Sequence, residues 1–332
     1  MRTLADAPDA ALDPGRRPNV GSYRGIVSRL DVADAAPSAL YRLAHHKRWI
    51  YFAFATEDVW IGVAVVDLGY VVNSFAYAWD RRSKRMLFDG SALCPPAIGR
   101  VRDADEGERS ARFLDPKHEV HVTRAPRSPR WEVSARYPGF ELLATAEPLT
   151  RAPALTAIVP IDGGVASTTE KHALLRATGT ARLGGRRVDL DDACAGYDYT
   201  SGLLGRLTAW RWGFLLGHAK DGTRVGVNLV EGFVGEAECA AWVGDELLGL
   251  GEGRFEFDRG QPLSPWEVRT TDRAVELAFA PGALHAEEQD FKLVASSFIQ
   301  PVGEYTGTLA LAGKRLELDR VIGVTEDQRT LW

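Results

Sequence analysis

Three groups of residues in this chain have the types and spacing to do chemistry. The first is Thr169-Glu170-Lys171-His172, which leads into the strand-like run from Ala173 to Thr180. An ammonium beside an imidazole at a strand entry makes a pair of proton donors. Desolvation would lower the pKa of Lys171 and turn it into a base, with His172 as its companion; a solvent-exposed strand end is the plainer reading. The second group is Asp189, Asp191 and Asp192, followed by Tyr197-Asp198-Tyr199. Clustered acids serve as an acid/base pair or as cation ligands, and equally as an Asp-rich turn. A buried Tyr197 or Tyr199 hydroxyl needs a partner, which one of these acids can supply.

The third group is Trp210-Arg211-Trp212-Gly213, then Gly226-Val227-Asn228-Leu229, then Glu236-Ala237-Glu238-Cys239-Ala240-Ala241-Trp242. Trp210 and Trp212 share one face of a strand. Asn228 stands in an apolar run, where an unpaired amide is costly. In an extended strand Glu238 and Trp242 also share a face. Together they predict a pocket wall, with tryptophans shaping a ligand and Asn228 and Glu238 as polar anchors. Barrel core with one structural hydrogen-bonded pair fits the same residues.

Strands must position these groups, and period two dominates the sequence. From Tyr70 to Trp79 one face carries Val71, Asn73, Phe75, Tyr77 and Trp79, and the other is small. A bulky face backed by a small one suits a curved sheet. Trp49 to Phe54 is apolar on both faces, which predicts a central strand. Gly184-Gly185, Asp221-Gly222, Gly244-Asp245 and Gly313 each divide strand-like runs, as hairpin turns with positive φ require. A meander of this length closes into barrels or packs as a sandwich to protect its edges. Pro37 to Lys47 predicts a short helix, and Ala92 to Arg112 a long loop. The proline-flanked stretch Ala144–Pro153 is the expected linker. The expected organisation is a loose arm over 1–20, a β lobe over 21–150 and a second β lobe over 151–332.

Composition excludes several classes. A net charge of −5 and a pI near 5.9 argue against nucleic-acid binding. Cys94, Cys194 and Cys239 are odd in number and widely spaced, so neither a disulfide framework nor a zinc site is expected. His118 and His121 fall on opposite strand faces, and no metal-binding, phosphate-loop or nucleophile-elbow motif is present. Metal and cofactor are therefore expected to be absent. The acidic, weakly apolar first twenty residues do not read as a signal peptide, and no run approaches the ~18 apolar residues of a membrane span, so the expectation is a cytoplasmic protein.

An ordered series of motifs carries a family resemblance. Lys171-His172, Tyr197-Asp198-Tyr199-Thr200, Trp210-Arg211-Trp212, Asn228-Leu229, Pro265-Trp266, Phe279-Ala280-Pro281, Gln300-Pro301-Val302-Gly303-Glu304-Tyr305-Thr306-Gly307 and Gly323-Val324-Thr325-Glu326 occur in the order of the bacterial family known as domain of unknown function 2804. The family pattern has Arg-Gly where Ala195-Gly196 stands here, and Asn where Cys239 stands. The resemblance implies distant similarity to the two-lobed, lipocalin-like group of carotenoid hydratases and tocopherol cyclases, which hydrate or cyclise bulky apolar molecules.

Residues and resemblance lead to one expectation: an all-β protein of two antiparallel lipocalin-like barrels or half-barrels side by side, with few short helices. It binds a bulky apolar small molecule and isomerises, hydrates or cyclises it by cofactor-free acid/base chemistry. Lys171 or His172 is the expected proton donor and Glu238 or Asp192 its counterpart. Tyr197, Tyr199, Trp210, Trp212, Asn228, Trp242 and Gln300 are the ligand-binding candidates. A non-catalytic carrier and a carbohydrate-active β-sandwich protein are the alternatives.

Overall fold

The strand His46–Ala55 shows how the alternation is used. Ile50, Phe52 and Phe54 point into one apolar core, and Tyr51, Ala53 and Ala55 into another. Burial on both faces is what its two-sided apolar sequence requires, and it lies mid-sheet between Val59–Asp67 and Cys194–Leu203. The strand Val72–Asp80 splits the same way. Phe75, Tyr77 and Trp79 enter one core, and Ala76 and Ala78 the other.

The structure is a computed structural model and describes residues 2–290, 295–311 and 313–332. It is 64% strand and 6% helix, arranged as two curled antiparallel half-barrel sheets, as the period-two pattern predicts. The first sheet runs from Arg85–Cys94 through His46–Ala55, Cys194–Leu203 and Ala166–Leu183 to Arg100–Asp103. The second runs from Glu246–Gly249 through Arg224–Gly232, Leu207–His218, Lys314–Leu331, Ala295–Leu311 and Val275–Asp290 to Gly253–Glu256. One core fills the first half-barrel; the other lies between the sheets and within the second. The strand Ala166–Leu183 of the first sheet packs on Leu207–His218, Arg224–Gly232 and Ala240–Val243 of the second. Glycine permits this closeness, since a Cβ on Gly226 would lie 2.5 Å from that of Ala173.

Several local expectations are met. The short helix spans Ala39–His45 and is capped by the Ser38 side chain. Gly184-Gly185 and Gly244-Asp245 sit in two-residue hairpin turns, with Gly184, Gly185 and Gly244 at positive φ. Others are corrected. Ala92 to Arg112 is not one loop: it contains the strand Arg100–Asp103 and the start of Arg109–Leu114, whose apolar positions Val101, Ala111 and Phe113 were hidden among charges. The change of sheet falls at 204–206, whereas Ala144–Pro153 lies within the first sheet's part of the chain. The first twenty residues are not a loose arm. The Arg2 amide donates to Gly249 O, Ala5–Asp6 pairs with Gly21–Arg24, and Ala11 is fully buried. Small alanines and free backbone groups let this segment bridge the two sheets.

All three cysteines are buried and free. Reducing agent is therefore expected to leave the melting temperature unchanged, as differential scanning calorimetry with and without dithiothreitol can check. Among the described residues no helix is long and apolar enough to cross a membrane.

Candidate active site

Two rows of cross-strand neighbours face each other and enclose a cavity of about 150 Å³. In the first sheet the register aligns Lys171, Asp198, Tyr51, Ala64 and Phe75 across five adjacent strands. In the second it aligns Val230, Trp212 and Glu326, and beside them Gln300 with His285. All of these except His285 line the cavity. Alternation presents one residue in two from each strand to the same side, so residues distant in sequence form one wall.

Lys171 is the most buried of the charges that line the cavity. Its Nζ lies 2.5 Å from Asp198 Oδ2 and 2.9 Å from Glu238 Oε2, and 5.7 Å from the Trp212 ring centroid. Burial pushes its pKa down, but the Asp198 and Glu238 carboxylates outweigh burial and hold it above the ordinary lysine value. The expectation of a lowered, basic Lys171 is thus corrected: it is a fixed ammonium. Burial also raises the pKa of Glu238, against the pull of Lys171 and with the like charge of Asp198.

Glu326 supplies a second proton site. Its Oε1 accepts from Trp210 Nε1 at 2.7 Å and its Oε2 from Gln300 Nε2 at 2.7 Å. The Tyr77 hydroxyl donates to Gln300 Oε1 at 2.6 Å, which orients that amide, and lies 2.9 Å from the Tyr51 hydroxyl. Burial raises the Glu326 pKa to about 7; the two hydrogen bonds oppose burial, and the nearby Asp198 charge adds to it. Trp49 stacks on Trp210 with centroids 5.8 Å apart, and Phe233 lies 5.4 Å from Trp210 on a tilted ring.

Of the expected site residues, the cavity brings together Lys171, Glu238, Trp210, Trp212 and Gln300. Asn228 stands behind the wall: its Oδ1 accepts from Trp212 Nε1 and its Nδ2 donates to the Glu238 backbone carbonyl, both at 2.7 Å. Glu238 is not on an extended strand with Trp242 but ends the 3₁₀ turn Gly235–Glu238. His172 and Trp242 stack together and hold the segment before Leu155 instead. His172 Nε2 donates to Ala152 O at 3.0 Å, and Trp242 Nε1 to Pro153 O at 2.9 Å. Burial lowers the His172 pKa to about 4, so this imidazole is neutral and its ring nitrogens are committed. Tyr197 donates to Glu170 Oε1 at 2.6 Å inside the first half-barrel, where Arg109 and Arg124 hold the same carboxylate. Tyr199 is buried there too, its ring 5.3 Å from the Arg109 guanidinium carbon. Asp192 occupies an exposed turn at φ 65° on the outer surface. A bulge between His172 and Leu175 accounts for part of this, since it resets which residues of Ala166–Leu183 face the cavity.

Sequence reasoning missed Asp198 as the partner of Lys171, and Glu326, Tyr51 and Trp49 as cavity residues. Asp198 was visible only as a possible tyrosine partner. Its placement between Tyr197 and Tyr199 puts it on the opposite face from both, and that was the available signal. No tryptophan among the described residues is exposed, so the flat platforms of a sugar-binding groove are lacking. Among the described residues no group of three or more His, Cys, Asp or Glu side chains is placed to hold a metal ion.

Trp212→Ala is expected to weaken binding of the neutral apolar dye Nile red by roughly tenfold, since a fully packed aromatic wall contributes about 1–3 kcal/mol. Fluorescence titration measures this directly.

The fold is shared with solved structures of low sequence identity. "Crystal structure of CghA" matches with a TM-score of 0.56 at 13% identity, covering 86% of this chain and 88% of that one. Kievitone hydratase from Nectria haematococca matches with a TM-score of 0.56 at 12% identity, covering 93% and 97%. These neighbours are all-β and lipocalin-like, as the sequence resemblance implied. A search of curated proteins found no match. The family model described as Domain of unknown function (DUF2804) matches residues 4–332, so the chain belongs to that family.

Proposed function

We propose that this protein binds a bulky, largely apolar small molecule between its two sheets and moves a proton on it, in an isomerisation, hydration or cyclisation that needs no cofactor. Glu326 carries the reading. A carboxyl poised at about 7 is divided between acid and base at neutral pH, where general acid/base catalysis works best. Both Glu326 oxygens face donors, Trp210 and Gln300. A proton on the neutral acid therefore has neither of them as acceptor and is available to a ligand. Lys171 is the fixed positive charge beside it. Its ammonium stabilises negative charge developing on a ligand oxygen, while Asp198 and Glu238 keep it protonated. His172 and Asp192 have no part in this, being outside the cavity. Aromatic walls exclude water and shape the bound molecule. Kievitone hydratase shares the fold, and hydration is among the reactions such a cavity suits.

Mass spectrometry of small molecules that co-purify with the native protein tests the proposal. Wild type is expected to release an apolar compound, and Glu326→Gln an unconverted precursor differing by a water or by a double-bond position. Identical compounds from both proteins would leave binding but remove the proton transfer. Absence of any bound compound, together with no uptake of Nile red, would sink both.

A further inference from the structure

The charges that line the cavity are mostly of one sign. Among the described residues they are Asp198, Glu238, Glu287, Glu326 and Lys171, four carboxylates against one ammonium. Lys171 is already bridged by Asp198 and Glu238. A ligand carboxylate entering here would bring a full negative charge to a site where acids already outnumber the one ammonium, at the cost of burying an unpaired charge. If Glu238 and Glu326 were both neutral, Asp198 and Glu287 would still outnumber Lys171.

The unfilled hydrogen-bonding positions point the same way. Glu238, with a side chain only 4% exposed, has an Oε1 that closes no hydrogen bond, although the Thr169 hydroxyl lies near this carboxylate, and Glu287 Oε1 closes none either. Glu287 Oε2 is held by Asn73 Nδ2 at 2.9 Å, which fixes the carboxylate at the cavity wall. Behind this wall His285 Nε2, 4.0 Å from Glu287 Oε1, also closes no hydrogen bond, while its Nδ1 lies 2.7 Å from Asp89 Oδ1. The walls between these acceptors are aromatic faces, Trp210, Trp212, Phe75 and Phe298 among them. These open acceptors, set among π faces and outnumbering the open Trp332 indole N–H, suit a ligand cation.

We infer that the ligand carries a basic nitrogen: the cavity takes a bulky apolar molecule bearing a protonated amine, whose N–H groups are received by Glu238 or Glu287 and whose charge lies against the aromatic faces. This rests on the apolar-ligand reading above and names the class of molecule.

Three two-ring probes of nearly equal shape separate the possibilities: 1-naphthylmethylamine, 1-naphthylmethanol and 1-naphthoate. Their affinities are measured by isothermal titration calorimetry at pH 7.5 on the full chain. The amine is expected to bind at least ~10-fold more tightly than the alcohol, as a charge-assisted hydrogen bond in a desolvated site implies, with the naphthoate weakest. Glu287→Gln is expected to reduce the amine's advantage several-fold. The ranking in the wild type needs no variant to fold. Alcohol and amine of equal affinity, or a naphthoate that binds as well as the amine, would overturn this inference and leave the apolar-ligand reading intact. Failure of all three to bind would overturn both.

Discussion

Replacing Lys171 with methionine is expected to lower the free energy of unfolding by about 3–5 kcal/mol, the usual cost of breaking a buried ion pair from one side. Methionine approximates the stem of lysine and adapts its shape, so cavity creation adds little. The cost comes from Asp198 and Glu238, which stay buried with their ammonium gone. They would have to bind protons or draw in water. Against a total stability of about 5–15 kcal/mol for a typical domain, this is a large fraction. Urea denaturation at pH 7 measures it, with the midpoint moving and the slope unchanged. The double variant Lys171→Met with Glu238→Gln is expected to recover part of the loss, because one stranded charge is removed as well. A loss below ~1 kcal/mol in the single variant would show that the pair is not desolvated as the structure has it.

The second large effect is a pH dependence. Glu326 has a folded-state pKa of about 7, while an unfolded glutamate titrates near ~4.3. Its folded pKa is raised, so the stability it contributes is fully present below the unfolded value and is lost as pH rises to the folded one. Between about pH 4.3 and 7 the unfolded chain releases this proton and the folded protein keeps it. The loss integrates to about 3–4 kcal/mol and is complete above pH 7. Glu326→Gln removes the titration. Wild type minus variant stability, read from urea midpoints from pH 4.5 to 8, is therefore expected to fall across that window. The variant's new amide faces the Gln300 amide and costs roughly 1 kcal/mol at the acid end, where the wild-type acid is neutral. Parallel curves would mean that Glu326 is ionised in the fold at all these pH values and is no acid/base group.

The fold was legible in the sequence because it is built from local signals. Alternation in Trp49–Phe54 and Tyr70–Trp79, and glycine at Gly184, Gly185 and Gly244, depend on neighbours two residues away. The site was legible in part. Trp210, Trp212 and Lys171 were recognisable because a pair of tryptophans and a lysine beside apolar strands are uncommon. Asp198 became the partner of Lys171 only through the register of Ala166–Leu183 on Cys194–Leu203, and no local pattern encodes register between strands joined by a hairpin of its own. His172 and Trp242 were misplaced for a related reason. Each has the side chain of a site residue, but the bulge after His172 and the turn before Ala240 aim them at the backbone of Ala152 and Pro153. Asp192 could be read as an acid or as part of an Asp-rich turn, and its left-handed backbone makes it the turn.

The donors around Glu326 share one direction. Trp210 and Gln300 point their N–H groups at it, the Tyr77 hydroxyl points at Gln300, and Trp60 Nε1 reaches the Tyr51 and Tyr77 hydroxyls at 3.3 Å. Positive ends thus converge from both sheets on a single carboxylate. When that carboxylate gains or loses its proton, the field at each donor changes, and two of those donors are indoles. Trp210 belongs to the second sheet and Trp60 to the first. The protonation state of one acid is therefore expected to alter the emission of tryptophans on opposite sides of the seam, which a pH titration of the intrinsic fluorescence would read.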